Sequence, residues 1–255
     1  MADYDNRVLQ GTADSAVGID AGLRAFMLRV YNYMFVGLIL TGIAAFGAYS
    51  LATTSDPAQA VANYHGVMLT QTGVTLFTSP LRWLVFLAPL GLVMFLSFRI
   101  NKMSVSAAQT TFWVYAALMG ISLGSIFIVY TQASIAQVFF ITAATFGSMS
   151  LYGYTTKRDL TGWGSFLFMG LIGILIASLV GMFWHSSALQ FVISVAGVLI
   201  FTGLTAYDTQ KIKEIYYVND DGSVTGRKAI MGALNLYLDF INLFIMLLRL
   251  FGDRR

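Results

Sequence analysis

Two aspartates in this chain occupy places where an acid is costly, and they are the groups best able to do chemistry. Asp239 lies near the middle of Ala229 to Leu250, an apolar stretch that meets the roughly 20 residues needed to cross a bilayer. A carboxylate alone at such a depth costs roughly 2.5–3.5 kcal/mol on insertion scales. At about 100° per residue, Asn235, Asp239, Asn242 and Arg249 share one helical face, and Leu, Ile and Phe cover most of the others. Such a stripe must face other helices or a water-filled cavity, so this helix belongs inside a bundle and Asp239 needs a partner. The partner within reach is Asp208, in the preceding apolar run F-T-G-L-T-A-Y-D-T-Q-K-I-K. Two carboxylates at about 4 Å repel by roughly 4 kcal/mol at an effective dielectric near 20, so such a pair titrates as a unit. With one proton shared, the two helices are tied by a short hydrogen bond; with none, they repel and are free to part. That is a gate with a proton sensor inside it.

An open mouth lined by carboxylates and amides attracts cations, and oxygen ligands of this kind suit Ca²⁺. Asp208 and Asp239 are therefore candidate transient Ca²⁺ ligands, and Asn235 and Asn242 are candidate pore-lining residues. Simpler assignments stay open. Asp208 can be a helix-end residue paired with Lys211 or Arg99, and Asp239 can hydrogen-bond an Asn or Tyr of the bundle. Tyr207 and Tyr237 read as packing anchors, although each precedes an aspartate closely enough to bond to it. His65 and His185 lie in loops without spaced ligand partners, which argues against a resident metal. No cofactor is expected, and no enzymatic activity.

The elements that must position these groups are membrane spans. Of 255 residues, 57% are hydrophobic and 11% charged, against about 25% charged in a soluble domain. Mean hydropathy is +0.73. The net charge of +3 sits in short basic clusters between apolar runs, the pattern of topology signals rather than of a nucleic-acid-binding face. Without cysteine there is no disulfide framework, thiol nucleophile or iron–sulfur site. The polar, acidic N-terminus does not read as a cleaved signal peptide.

The fold expected is an all-α integral membrane protein, a bundle of seven transmembrane helices with the last one central. Residues 1–28 read as a cytoplasmic tail, 29–252 as the membrane domain and 253–255 as a short C-terminal tail. Span one covers Tyr33–Leu51, followed by a Thr-rich connection. Span two runs from Pro80 to Arg99, with Pro89 expected to kink it unless a neighbour satisfies the freed carbonyl. No charge occurs between Lys102 and Lys157, so that segment holds two spans that turn at Tyr130-Thr131-Gln132. Ala116, Gly120 and Gly124 give the third span a small-residue face for close helix approach, and Gly173, Ala177 and Gly181 suggest another in the fifth. Spans five and six turn at Trp184–Ser187.

Lys and Arg near the span ends set the orientation. With seven crossings and the N-terminus inside, 11 basic residues face the cytoplasm and 4 (Arg82, Arg249, Arg254, Arg255) the far side. The basic C-terminal tail leaves open a last segment that re-enters and returns. In this plan Arg99 lies at the level of Asp208. Asp239 lies about ten residues, or roughly 15 Å, deeper, so Asp208 and Asp239 meet only if span six runs deep or the mouth is recessed.

The segments T-A-Y-D-T-Q-K-I-K and A-L-N-L-Y-L-D-F-I-N-L-F-I-M-L-L-R-L-F-G closely resemble the C-terminal signature of the Bax inhibitor-1 family, the transmembrane BAX inhibitor motif proteins. The stretch G-I-S-L-G-S-I-F-I-V-Y-T is similar to it as well, and the chain looks like a bacterial member. The resemblance implies a pH-sensitive Ca²⁺ leak in which Asp208 and Asp239 form a dyad that works with Arg99. A bacterial inner membrane, Ca²⁺ as permeant ion and membrane-protein partners follow as expectations; nucleic acid does not. Two rival readings remain. A non-conducting interaction protein could modulate other membrane proteins or stress responses. An intramembrane aspartyl protease fits Tyr207-Asp208, but it needs glycines where Leu236-Tyr237-Leu238 precede Asp239. A retinal photoreceptor fails for want of a lysine in the last span.

Overall fold

Charge-free runs of Leu, Ile, Val, Phe and Ala can satisfy their backbone in hydrocarbon only by bonding it internally as helix. The fold follows from that constraint. It is a computed structural model that describes residues 2–64, 66–184 and 186–255. His65 and His185 lie outside the described residues, as do the side chains of 2–20 and of Met182. The elements are α1 (Ala2–Ala52), a two-stranded hairpin of β1 (Ala62–Tyr64) and β2 (Val67–Leu69), then α2 (Gln71–Phe77) and α3 (Leu81–Arg99). They continue with α4 (Val105–Leu123), the short α5 (Ile126–Val129), α6 (Gln132–Thr155), α7 (Thr161–Phe183), α8 (Ser187–Glu214) and α9 (Gly222–Phe251). Seven of these helices (α1, α3, α4, α6, α7, α8 and α9) contain segments long and apolar enough to cross a membrane. Helical backbone begins at Ala2, ahead of the first span, where a separate tail is expected from the sequence.

Helix α9 is the axis of the bundle. Of its most apolar stretch 72% is buried, against at most 39% in any other span. It packs on α1, α4, α6 and α8. The outer helices turn much of their apolar surface outward, where lipid takes the place of protein.

Contacts at the loops define two ends. At one, Arg227 donates to the Met103 carbonyl (3.4 Å) and Lys213 to the Tyr154 carbonyl (2.9 Å). The α3–α4, α6–α7 and α8–α9 connections and their basic residues thus share this end. At the other, the C-terminal residues pair with the start of α6: Thr131 N–H donates to Asp253 O and Arg255 N–H to Val129 O, both at 3.0 Å. Arg254 also lies over the Tyr130 ring. Helix α9 therefore runs from one end to the other and does not fold back, which removes the re-entrant alternative.

Pro89 lies inside an unbroken α3. A proline cannot donate to the carbonyl four residues earlier, and here that carbonyl, Val85 O, accepts from the Ser122 hydroxyl of α4 at 2.5 Å. The small-residue face of α4 also forms. A Cβ on Gly120 would lie 2.4 Å from the Thr41 carbonyl of α1, so only glycine permits this approach. The seam expected in the fifth span does not form: a Cβ at Gly173 would meet nothing within 4 Å, and one at Gly181 only ordinary contacts. Gly164, Leu167 and Ile174 are the buried positions of α7 among the described side chains, and Gly173 lies off their face.

Ser122→Ala should cost about 1–3 kcal/mol, because it strips a buried carbonyl of its donor. In a Pro89→Ala background, where the helix supplies its own N–H, the cost should fall below about 0.5 kcal/mol. Thermal unfolding in detergent gives both values, and an equal cost in the two backgrounds would refute the pairing.

Candidate functional site

The site is built by the antiparallel pair α8 and α9. A Cβ on Gly232 would meet Ile212, and one on Gly197 would meet Met246. These contacts fix the register and set Asp208 level with Asn235 and Leu236. Asp239 lies one turn further along α9, within side-chain reach. The sequence reads span six to about residue 210, but α8 continues to Glu214, so Asp208 sits inside the helix rather than at its tip. Its last turns are clamped. The Gln210 amide accepts from Leu160 N–H and donates to the Arg158 carbonyl, both at 2.8 Å, and Lys213 bonds the end of α6. Lys211 and Lys213 also suit the negative end of the helix dipole.

Asp208 and Asp239 lie within hydrogen-bonding reach of each other. Asp239 is 4% exposed, and its Oδ2 has no hydrogen-bond partner among the described residues. Both acids line a cavity of 480 Å³ between α7, α8 and α9. Asn235 and Asn242 line it too, so three residues of the polar face foreseen on the last helix share one space, while Arg249 is exposed outside it. Asn242 ties its amide to the Leu238 carbonyl at 2.9 Å, which leaves its own carbonyl oxygen available as an acceptor.

Arg99 does not join them. It is exposed at the end of α3, outside the cavity lining, and forms no ion pair among the described residues. The reason is packing: α3 lies against α4 and α2, whereas α8 lies against α6, α7 and α9. The cation at this cavity is Lys211, one turn after Asp208 on the same helix, and Asp208 feels its charge. The three-residue spacing was there to be read in the sequence. Tyr237 anchors packing, as the sequence suggests, and does not bond the aspartate. It points away from Asp239, its hydroxyl 2.7 Å from Thr41 Oγ1 and its ring edge-on to Phe112 and Tyr115. Tyr207 does line the cavity, with its ring against Gly164 of α7. Leu236 and Tyr237 are fully buried, so no backbone can approach Asp239 from the side where a protease would need glycines.

Residues 23–255 match the family model described as inhibitor of apoptosis-promoting Bax1. The chain belongs to the Bax inhibitor-1 family. The inner membrane protein YbhL of Escherichia coli K12 is 48% identical over 246 residues, covering 95% of this chain and 97% of that protein. An uncharacterized protein of Rickettsia prowazekii is 46% identical across the full length of both chains. An uncharacterized membrane protein of Streptococcus pyogenes is 36% identical, covering 91% of this chain and 94% of its own length. With seven candidate spans, this family member is a multi-pass membrane protein.

Asp221 starts α9 and so helps to hold Asp239 in place. Hydrogen bonds from the Ser223 hydroxyl, then from the backbone N–H groups of Val224 and Ser223, hold its carboxyl below the ordinary carboxylate range. A depressed folded-state pKa contributes stability that is present above the unfolded value, about 3.9, and is lost as pH falls through the folded one. Amide protection at Ser223–Thr225, taken relative to the intrinsic exchange rate, should therefore fall below about pH 4 in the wild type. Asp221→Ala should exchange fast at every pH, and Asp221→Asn should keep protection without the acid-induced loss. Protection in Asp221→Ala equal to wild type would remove the cap from this role.

Proposed function

We propose that the protein is a pH-sensitive, Ca²⁺-permeable leak whose gate is a proton shared by Asp208 and Asp239. The observation that carries this reading is a buried acid, Asp239, with one carboxyl oxygen unpartnered, set beside a second acid in a cavity that also presents two asparagines. A proton between the acids ties α8 to α9. Its loss leaves two like charges in a poorly screened space, and the helices are driven apart. The open cavity then offers carboxylate and amide oxygens to a passing cation. Ca²⁺ takes 6–8 oxygen ligands, so two carboxylates and two amides leave several places to water. Such partial coordination favours passage over storage. Among the described residues no three acidic or histidine side chains converge to hold an ion permanently. The protein is read as a transport pathway rather than an enzyme. Its basic clusters and its inner-membrane relative support a place in a bacterial inner membrane with the N-terminus in the cytoplasm.

Ca²⁺ flux into proteoliposomes of the purified protein tests this between about pH 5 and 9, the range that brackets a coupled carboxyl pair. Wild-type flux should rise with pH as the shared proton is lost. Asp208→Asn and Asp239→Asn should each flatten the profile, and Arg99→Ala should leave it unchanged. Identical profiles for the wild type and both aspartate variants would refute the shared-proton gate. Absence of flux in pure liposomes would favour a non-conducting partner of other membrane proteins.

A further inference from the structure

The cavity between α7, α8 and α9 carries one positive charge of its own. Its charged lining consists of Asp208, Asp239 and Lys211; α7 contributes Gly164, Ser165 and apolar side chains, and α9 adds only Asn235 and Asn242 as polar neighbours of Asp239. Lys211 lies on the same face of α8 as Asp208, nearer the basic end of the bundle. Its ammonium is nevertheless not in an ion pair with either acid: among the described residues the salt bridge is that of Lys228 with Asp220. Instead Lys211 Nζ lies over the Tyr207 ring, 5.5 Å from its centroid. A cation held on an aromatic face is retained by a modest attraction and stays close enough for Asp208 to feel it. Tyr207 is itself fixed, because its ring fills the space beside Gly164.

We propose that Lys211 is a tethered counter-cation that determines ion selectivity at this cavity, parked on Tyr207 and competing with any cation that approaches Asp208 and Asp239. The inference rests on the proposed leak and names a specificity-determining residue for it. The physical basis is charge. A fixed +1 ammonium repels a divalent ion twice as strongly as a monovalent ion at the same place. It therefore penalises Ca²⁺ relative to K⁺, and its removal reverses that penalty. Because Lys211 is exposed, the effect is screened by salt and is largest at low ionic strength. Tyr207 sets where the ammonium rests, so loss of the ring frees Lys211 to swing onto Asp208 and block the cavity more.

The experiment compares wild type, Lys211→Gln, Lys211→Arg and Tyr207→Leu in proteoliposomes, with Ca²⁺ and K⁺ flux read at about 10 mM and 150 mM ionic strength. Equilibrium binding of ⁴⁵Ca²⁺ to the detergent-purified proteins is read alongside. Lys211→Gln should raise the Ca²⁺:K⁺ flux ratio and the Ca²⁺ affinity about tenfold, equivalent to about 1.4 kcal/mol, with a smaller gain at high salt. Lys211→Arg should match wild type, and Tyr207→Leu should lower Ca²⁺ affinity. If wild type conducts but Lys211→Gln keeps its ratio and affinity at both salt concentrations, the role of Lys211 is overturned and the leak stands. If wild type does not conduct, the leak fails, and the binding arm decides Lys211 alone: tighter ⁴⁵Ca²⁺ binding in Lys211→Gln supports the counter-cation, and unchanged binding overturns it.

Discussion

A carboxyl group in the middle of the most buried helix is the constraint on which the rest of this structure depends. Lipid cannot solvate Asp239, so the helix that carries it has to be enclosed by protein or turned to a polar cavity, and both are found. That requirement explains why α9 is the axis and why α1, α4, α6 and α8 are packed against it. It also explains the company Asp239 keeps. The cavity it lines presents another acid and two amides rather than a guanidinium, an arrangement that satisfies the group incompletely.

Enclosing α9 places demands on its neighbours. Helices α1 and α4 can close on it from one side because Gly120 lets their backbones approach, and because Thr41 bonds both the Ala116 carbonyl and the Tyr237 hydroxyl (2.9 and 2.7 Å). That side is aromatic and closely packed, and the Tyr115 hydroxyl within it has no hydrogen-bond partner among the described residues. The opposite side, toward α7, is the one that opens into the cavity. Helix α9 thus has a stiff face and a polar, loosely filled face, and movement of α8 or α7 relative to it would change the cavity without disturbing the aromatic wall. Local stability of this kind is where a gate is most easily built.

The family relationship and the geometry bear on different questions. Similarity to inner membrane proteins over nearly the whole chain assigns the protein to a membrane family. The cavity, with its paired acids and its own lysine, says which atoms a permeant ion or a proton would meet. A positive side chain on the same helix as one acid, held on a tyrosine ring, gives the site an internal competitor for cations. In this structure that position belongs to Lys211, and Arg99 is held away by its attachment to the α4 side of the bundle.

Several features were determined by the sequence alone because they follow from local chemistry. The spans came from charge-free apolar runs, their turns from polar residues such as Thr131 and Ser186, which cap the helices that follow, and the central place of α9 from an acid amid leucines. The need of Pro89 for an outside donor was equally legible, though the identity of that donor was not. Tertiary structure alone decided which helix faces touch. It carried α8 on to Glu214, through clamps from residues some fifty positions away, and so set Asp208 within about one helical turn of Asp239. It turned Tyr237 toward Thr41, left Gly173 without a close neighbour and put Lys211 where Arg99 had been expected. Helical periodicity fixes the angle between side chains on one helix, but the rotation and depth of each helix against its neighbours depend on packing that no single segment encodes.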